Sequence, residues 1–403
     1  MRFFSSALDP RRVRASLFAL VAVVLVFPFV ASQFGNSWVR IADVALLYIM
    51  LALGLNIVVG FAGLLDLGYI AFYAIGAYTA GLFASPQFAA VIESFASTYP
   101  AVGEILVRLC GPRVVQEGIH LSLWIIVPLS ALLAGVFGVI LGAPTLKLRG
   151  DYLAIVTLGF GEIIRIFLNN LNGPVNITNG PQGINMIDPV RIFGISLAGE
   201  AGSGSTVYIG GWGIPSVNAY YFLFLVLCAL TIFISVRLQD SRLGRAWIAL
   251  REDEVAAAAM GINTRNVKLL AFAMGATFGG VAGAMFAAFQ GFVSPESFSL
   301  TESIAVLAMV VLGGIGHIPG VVLGGVLLAA LPEVLRHAVE PLQQELFGRV
   351  WVDAEVMRQL LYGLAMVLIM LARPAGLWPS PRPEDRPEAD HPHGGEPVGE
   401  VKA

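Results

Sequence analysis

Charge is what this sequence has least of. Only 13% of its 403 residues are Asp, Glu, Lys or Arg, while 57% are hydrophobic. Soluble domains carry about a quarter charged residues, so the composition argues against a soluble enzyme and against a nucleic-acid binder. Lysine is scarcer still. Lys147, Lys268 and Lys402 follow Leu, Val and Val. A P-loop needs a Gly-Lys pair to hold phosphates, and this chain has none. Histidine is also sparse: His120, His317, His337, His391 and His393 form no HExxH motif and serve no GxSxG nucleophile. The two cysteines, Cys110 in a connection and Cys228 mid-span, allow neither a zinc motif nor a redox pair. They belong at different depths, so no disulfide is expected. No catalytic residue, metal site or cofactor of the chain's own is read here.

What is present is apolar sequence in long runs. A membrane span needs ~20 apolar residues. Candidates lie at 15–33, 40–60, 64–84, 121–143, 152–170, 219–236, 267–290, 302–316, 319–337 and 356–372. The expected fold is an all-α polytopic membrane protein with about ten spans, eight to ten in all, some broken or re-entrant. The N-terminal run has basic residues ahead of it, as a cleaved signal peptide would. SQFGNSW after it offers no clear cleavage site, which favours an uncleaved first span. The connections 85–120 and 171–218 read as long, polar and outside the membrane. Residues 1–14 and 373–403 read as cytoplasmic ends. The second of these is a Pro/Glu-rich tail that buries too little apolar surface to fold.

Orientation follows from arginine and lysine. With the N-terminus inside, sixteen basic residues fall on inside positions and seven outside, with Arg165 within a span. The positive-inside rule then puts both termini in the cytoplasm. Two joints depart from ordinary loops. FAG joins 40–60 to 64–84, and HIP, within GGIGHIPG, joins 302–316 to 319–337. Gly60 and Gly63 at the first, and Gly313, Gly314 and Gly316 at the second, suit either a broken helix or a tight hairpin. Broken segments in comparable places of two halves point to a transport site.

Polar groups at membrane depth are rare and face a bundle interior or a watery path. Asn56, Asp66, Tyr69, Tyr73, Glu162 and Arg165 are the path candidates, and Glu302 sits at an interface. Glu162 and Arg165, three residues apart, share a helix face and equally suit a structural pair. Gly275, Gly279 and Gly283 repeat every four residues, and Gly135, Gly138 and Gly142 line a similar face. Small residues at this spacing let helices approach closely, as static packing or as a sliding surface.

The inside connection 237–266, RLQDSRLGRAWIALREDEVAAAAMGINTRN, reads as a short helix held between two spans. Glu252, Asp253 and Glu254 suit its first turn, at the positive end of the dipole. Gly261 suits its end, and Asn263 or Thr264 can cap the next helix. Such an element can pass force from a soluble partner, or lie passively on the membrane.

This segment resembles the coupling loop of ATP-binding-cassette importer permeases, whose pattern is Glu-Ala-Ala, three residues, Gly. Ala256, Ala257 and Gly261 match it; Val255 replaces the Glu, and Glu254 comes one residue early. A more specific resemblance lies in LGLNIVVGFAGLLDLGYIAFYAIGAYTA (53–80), LKLRGDYLAIVTLGFGEIIRIFLNN (146–170), NGPQGI (179–184) and MVVLGGIGHIPGVVLGG (309–325). From about residue 40 to 378 the chain resembles LivM-type permeases of branched-chain amino acid importers. The resemblance implies an inner-membrane subunit paired with a LivH-type permease as a heterodimer. It also implies two ATPase subunits of LivG/LivF type holding ATP and Mg on the cytoplasmic face. A periplasmic binding protein would deliver Leu, Ile or Val. Arg251 through Glu254, with Ala256, Ala257 and Gly261, would meet an ATPase. Importers of urea and short amides use similar permeases and give the alternative substrate. An ion-coupled secondary transporter, with Asp66 binding the ion, and a membrane scaffold are the readings from other classes.

Overall fold

Apolar runs in this chain become helix because helix satisfies every backbone group internally, as hydrocarbon demands. The computed structural model describes residues 10–148, 150–192, 195–198, 206–209, 212–347, 354–372 and 376–378. In chain order the helices are α1 Pro10–Phe34, α2 Asn36–Leu55, α3 Ile70–Phe83, α4 Gln87–Thr98, α5 Pro100–Glu117, α6 Leu123–Thr145 and α7 Asp151–Asn170. They continue with α8 Ser216–Gln239, α9 Arg242–Glu252, α10 Glu254–Ala259, α11 Thr264–Gln290, α12 Leu300–Gly313, α13 Ile318–Phe347 and α14 Ala354–Ala372.

Each of the ten expected spans falls on a helix, but not every helix is a span by length and apolarity. Among the described residues five qualify: Asn36–Phe61, Leu123–Thr145, Ser216–Gln239, Thr264–Gln290 and Pro295–Gly313. A sixth is the pair Ile70–Phe83 and Gln87–Thr98, bent by 81°. Asp151–Asn170 is not among them. It carries Asp151, Glu162 and Arg165, and buries only one face. By length and apolarity the described residues thus support five or six spans, fewer than the eight to ten expected.

The connection 85–120, expected to be a polar loop, is helical. Phe88, Ile92 and Phe95 recur at helical spacing, and Ile92 is buried. At the bend before it, Ser85 Oγ donates to the Gly81 carbonyl at 2.5 Å and accepts from the Gln87 amide at 3.2 Å. The connection 171–218 holds short antiparallel ribbons and a 3-10 turn, Gly180–Gln182. Arg191–Ile192 pairs with Ile195–Ser196, and Thr206–Ile209 with Trp212–Pro215; Ile184–Asn185 pairs with Phe292–Val293. His120 ties this face together. Its Nδ1 lies 2.6 Å from Asp188 Oδ2 and its Nε2 2.6 Å from the Glu117 carbonyl.

The core is α2 and α11, buried along most of their lengths, with α3 and α6 packed on α11 and on each other. Glycine sets these distances. A Cβ at Gly283 would meet the Tyr73 carbonyl, and one at Gly76 the Gly280 carbonyl. Gly275 lies against Val58, and Gly279 against Phe72. On the other face of α11, Gly135, Gly138 and Gly142 of α6 take Thr277, Ala276 and Phe272. Both glycine stripes are therefore helix contacts.

Gly376–Trp378, expected within the unfolded tail, is docked. The Leu377 amide donates to Leu312 O at 2.9 Å and the Trp378 amide to Gly313 O at 3.2 Å. α12 ends there, so these amides satisfy carbonyls its own chain leaves open. Residues 1–9 and 381–403 lie outside the described residues.

Candidate functional site

Both glycine joints are true helix breaks. α2 runs into a π-helical turn, Asn56–Phe61, and regular helix does not resume until Ile70. Gly63 has φ 69°, and Gly316 in the second break has φ 83°, a region that disfavours side chains. The two breaks meet. Asn56 Oδ1 accepts from the Gly316 amide at 2.9 Å, and a Cβ at Gly60 would strike both groups. Asn56 therefore staples one break to the other.

The 237–266 connection reaches the same point. The sequence reading put Glu252, Asp253 and Glu254 in one first turn; the structure splits them between two helices. Glu252 closes α9, Asp253 is the N-cap of α10, and only Glu254 lies in a first turn. The reason is Asp253 itself. In extended conformation it accepts from the Val255 and Ala256 amides at 2.7 and 3.0 Å. These amides, that of Ala256 foremost, hold its carboxyl below the usual carboxylate range. Gly261, with φ 82°, follows the end of α10, and Asn263 caps α11 through the Asn266 amide.

Two anchors fix this pair of helices to α11. Buried Trp247 donates to the Val267 carbonyl at 2.8 Å. Lys268, also buried, pairs with Glu254 at 2.6 Å. Arg251 points inward. Its Nη1 donates to the Gly60 carbonyl at 2.6 Å, and its stem lies on Gly63. The Leu64 amide, which a continuing helix would offer to Gly60, bonds instead to Val58. Arg251 thus supplies the bond that the break removes. What α10 leaves outward is apolar: Val255 and Met260 are 67% and 84% exposed, and Ala256 is exposed while Ala257 is buried.

The path candidates do not share one cavity. Asp66 is buried, and its Oδ1 accepts from the Gly68 amide at 2.9 Å. It faces a void of about 10 Å³ beside Thr157 and Phe160, too small for an amino acid. Tyr69 packs inward and donates to the Gly275 carbonyl at 2.9 Å. Tyr73 is sandwiched by Phe286 and Phe298, each 5.3 Å away. Glu162 and Arg165 pair at 3.1 Å, and Arg165 also reaches Glu296 at 3.1 Å. All three are partly exposed, so this ion cluster lies on the surface of the chain. Asn56 and Asp66 flank the first break, where each accepts one backbone amide through one oxygen, while Asn56 Nδ2 and Asp66 Oδ2 are buried with no hydrogen-bond partner among the described residues.

A larger cavity, about 370 Å³, lies at the opposite end of α2, among α2, α12, α13 and α14. Arg40, Tyr48 and Glu302 line it. The sequence reading counted Arg40 only toward orientation and passed over Tyr48. It also passed over Asp43, a buried carboxylate in the apolar run of α2, although a charge within a span is itself the signal.

Comparison with known proteins matches this architecture along nearly the whole chain. Residues 37–370 match the family described as branched-chain amino acid transport system / permease component. The high-affinity branched-chain amino acid transport system permease protein LivM of Escherichia coli (strain K12) is 40% identical over 391 residues, 95% of this chain and 79% of the relative. The probable LivM of Methanocaldococcus jannaschii is 27% identical over 350 residues, 83% and 90% of the two chains. The LivH permease of Escherichia coli (strain K12) is 31% identical over 221 residues, 54% and 62%. No solved structure matches. The chain belongs to the family of branched-chain amino acid transport permeases and is a LivM-type member of it.

Proposed function

We propose that the protein is the LivM-type half of a heterodimeric inner-membrane permease that imports Leu, Ile and Val at the expense of ATP hydrolysed by partner subunits. Identity of 40% across 95% of the chain to a LivM permease carries this reading. It also favours branched-chain amino acids over urea or amides. The similarity to LivH permeases supports a pairing of two related subunits, since related halves build a two-fold-like pathway.

The mechanism follows from where force can enter. The chain has no Gly-Lys pair, so nucleotide and Mg belong to ATPase partners on the cytoplasmic face. The exposed Val255 and Met260 of the α10 turn give such a partner an apolar contact. Movement there is carried by Trp247 and Lys268 into α11, and by Arg251 into both breaks. Broken helices have two arrangements available where continuous ones have one, which suits alternating access. A periplasmic binding protein would dock on the opposite face, where the 171–218 ribbons lie.

The test is reconstitution of the chain with its LivH-type and ATPase partners in proteoliposomes. ATP-dependent leucine uptake, requiring all subunits and the binding protein, is the expected result. Leucine uptake by the isolated chain in an ion gradient would instead establish a secondary transporter.

A further inference from the structure

Between the first break and α3 the chain runs at membrane depth without being helix. Residues 63–68 have no regular structure. Burial alternates along them: Leu64, Asp66 and Gly68 are buried, Gly63 is exposed, and Leu65 and Leu67 are half-buried. That is the period of an extended chain with one side turned into the protein. The anchors of this segment fix its depth. The Leu67 amide donates to Thr157 Oγ1 at 3.0 Å, and its carbonyl accepts from Ser303 Oγ at 2.5 Å. Ser303 lies near the middle of the span Pro295–Gly313. Tyr69 reaches the carbonyl of Gly275, which lies about 16 Å along α11 at 1.5 Å per residue. Hydrogen bonding in between is incomplete. Among the described residues the carbonyls of Gly63, Leu64, Leu65 and Asp66 accept no hydrogen bond, and the amides of Gly63, Leu65 and Asp66 donate none.

We propose that the open side of residues 63–67 is a wall of the translocation path, with water on its backbone groups and with Leu65 and Leu67 against the aliphatic side chain of the passing amino acid. Hydrocarbon excludes such a chain, because nothing there can hydrogen-bond an open backbone group; irregular backbone at this depth is tolerated where it is buried in protein or lines a water-filled space. A helix of a neighbouring subunit would not serve it, since a helix spends its own amides and carbonyls internally. Water serves it, and so do the charged ends of a small solute, as in transporters built on discontinuous helices. The alternation also separates the candidates of this segment: Asp66 turns inward with Leu64 and Gly68, so its neighbours Leu65 and Leu67 take the path side. One end of the wall is held from outside the bundle. The Arg251 stem lies on Gly63, so displacement of α9 and α10 bears directly on it. The watery wall rests on the segment itself; the identity of the solute as Leu, Ile or Val rests on the importer reading.

Cysteine accessibility in the assembled permease tests this. Leu64→Cys, Leu65→Cys and Leu67→Cys are made singly with Cys110→Ser and Cys228→Ala, assembled with the partner subunits in proteoliposomes, and treated on both faces with a charged methanethiosulfonate. The thiolate is the reacting form, so a thiol in water labels and one in hydrocarbon does not. Leu65→Cys and Leu67→Cys are expected to label and to lose leucine uptake on labelling, while Leu64→Cys stays unlabelled. The cysteine-free complex keeps its uptake through the same treatment. Leu65→Cys and Leu67→Cys that stay unlabelled in the complex would overturn the proposal. They would then face lipid or, where they label in the isolated chain, the sister subunit. Equal labelling at Leu64→Cys, or labelling that leaves uptake intact, would also overturn it. ATP-driven leucine uptake by the wild-type complex is measured alongside. Its absence refutes the importer reading, whereas labelling reads the wall with no substrate present.

Discussion

Replacing Arg251 by methionine removes one hydrogen bond and leaves the rest of the junction in place. The methionine stem keeps the methylenes that lie on Gly63, and the lost group is the guanidinium that donates to the Gly60 carbonyl at 2.6 Å. A hydrogen bond to a charged donor contributes about 1.5–3 kcal/mol. Arg251 is exposed on its outer side, so the low end applies, about 1.5 kcal/mol, or roughly tenfold in an equilibrium constant. The bond links the α9–α10 pair to the first break, and Asn56 links that break to the second. Its loss is expected to lower leucine molecules imported per ATP hydrolysed, by up to about tenfold on the same conversion, with membrane insertion and basal hydrolysis intact. Arg251→Lys, which keeps a charged donor, retains an intermediate ratio. The assay is paired measurement of ATP hydrolysis and leucine uptake in proteoliposomes. An unchanged ratio in Arg251→Met would refute the reasoning, because the junction would then carry no motion.

Three further outcomes are expected. Gly76→Ala places a methyl on the Gly280 backbone, which cannot move aside; it should lower thermal stability in detergent by about 1–3 kcal/mol, while Gly159→Ala, with nothing within 4 Å, should be neutral. Asp66→Leu leaves the Gly68 amide without its acceptor, a loss of about 1–3 kcal/mol, and Asp66→Asn retains it; neither should change the uptake KM of the folded fraction, and a shifted KM would put Asp66 in the path. The hydrogen bond to Asp188 raises the His120 pKa above its ordinary value of 6.5. Its stabilisation of the 118–122 and 184–190 loops is therefore full below pH 6.5 and is lost as pH rises through the raised value. Amide protection factors in those loops, with the intrinsic base catalysis of exchange divided out, should fall over that range in wild type and show no such dependence in His120→Gln.

Much of the helix layout was legible because it depends on local composition. An apolar run of membrane length must satisfy its own backbone, and a glycine pair weakens it wherever it falls; hence the helices and both breaks were visible. The Gly275, Gly279 and Gly283 stripe was visible for the same reason, as a period along one chain. The 85–120 helices were missed because their apolar spacing is short and interrupted by polar residues. The division of α9 from α10 was missed because an Asp among acidic neighbours reads as a first-turn residue until its backbone is seen to be extended.

The path candidates show the limit most clearly. Asp66, Tyr69 and Tyr73 looked functional because polar atoms in hydrocarbon need partners, and sequence cannot say whether the partner is a substrate or the protein's own backbone. The structure gives one oxygen of Asp66 the Gly68 amide and Tyr69 the Gly275 carbonyl, and packs the Tyr73 ring against two phenyl rings. Sequence alone determined the class of molecule, the positions of its breaks and the absence of a Gly-Lys nucleotide loop, since each is a property of one contiguous stretch. Only the tertiary structure decided that Arg251 reaches Gly60 across 191 positions of chain and that Arg40 shares a cavity with Glu302. Those pairings come from helix packing, and no local pattern encodes which helix will lie beside which.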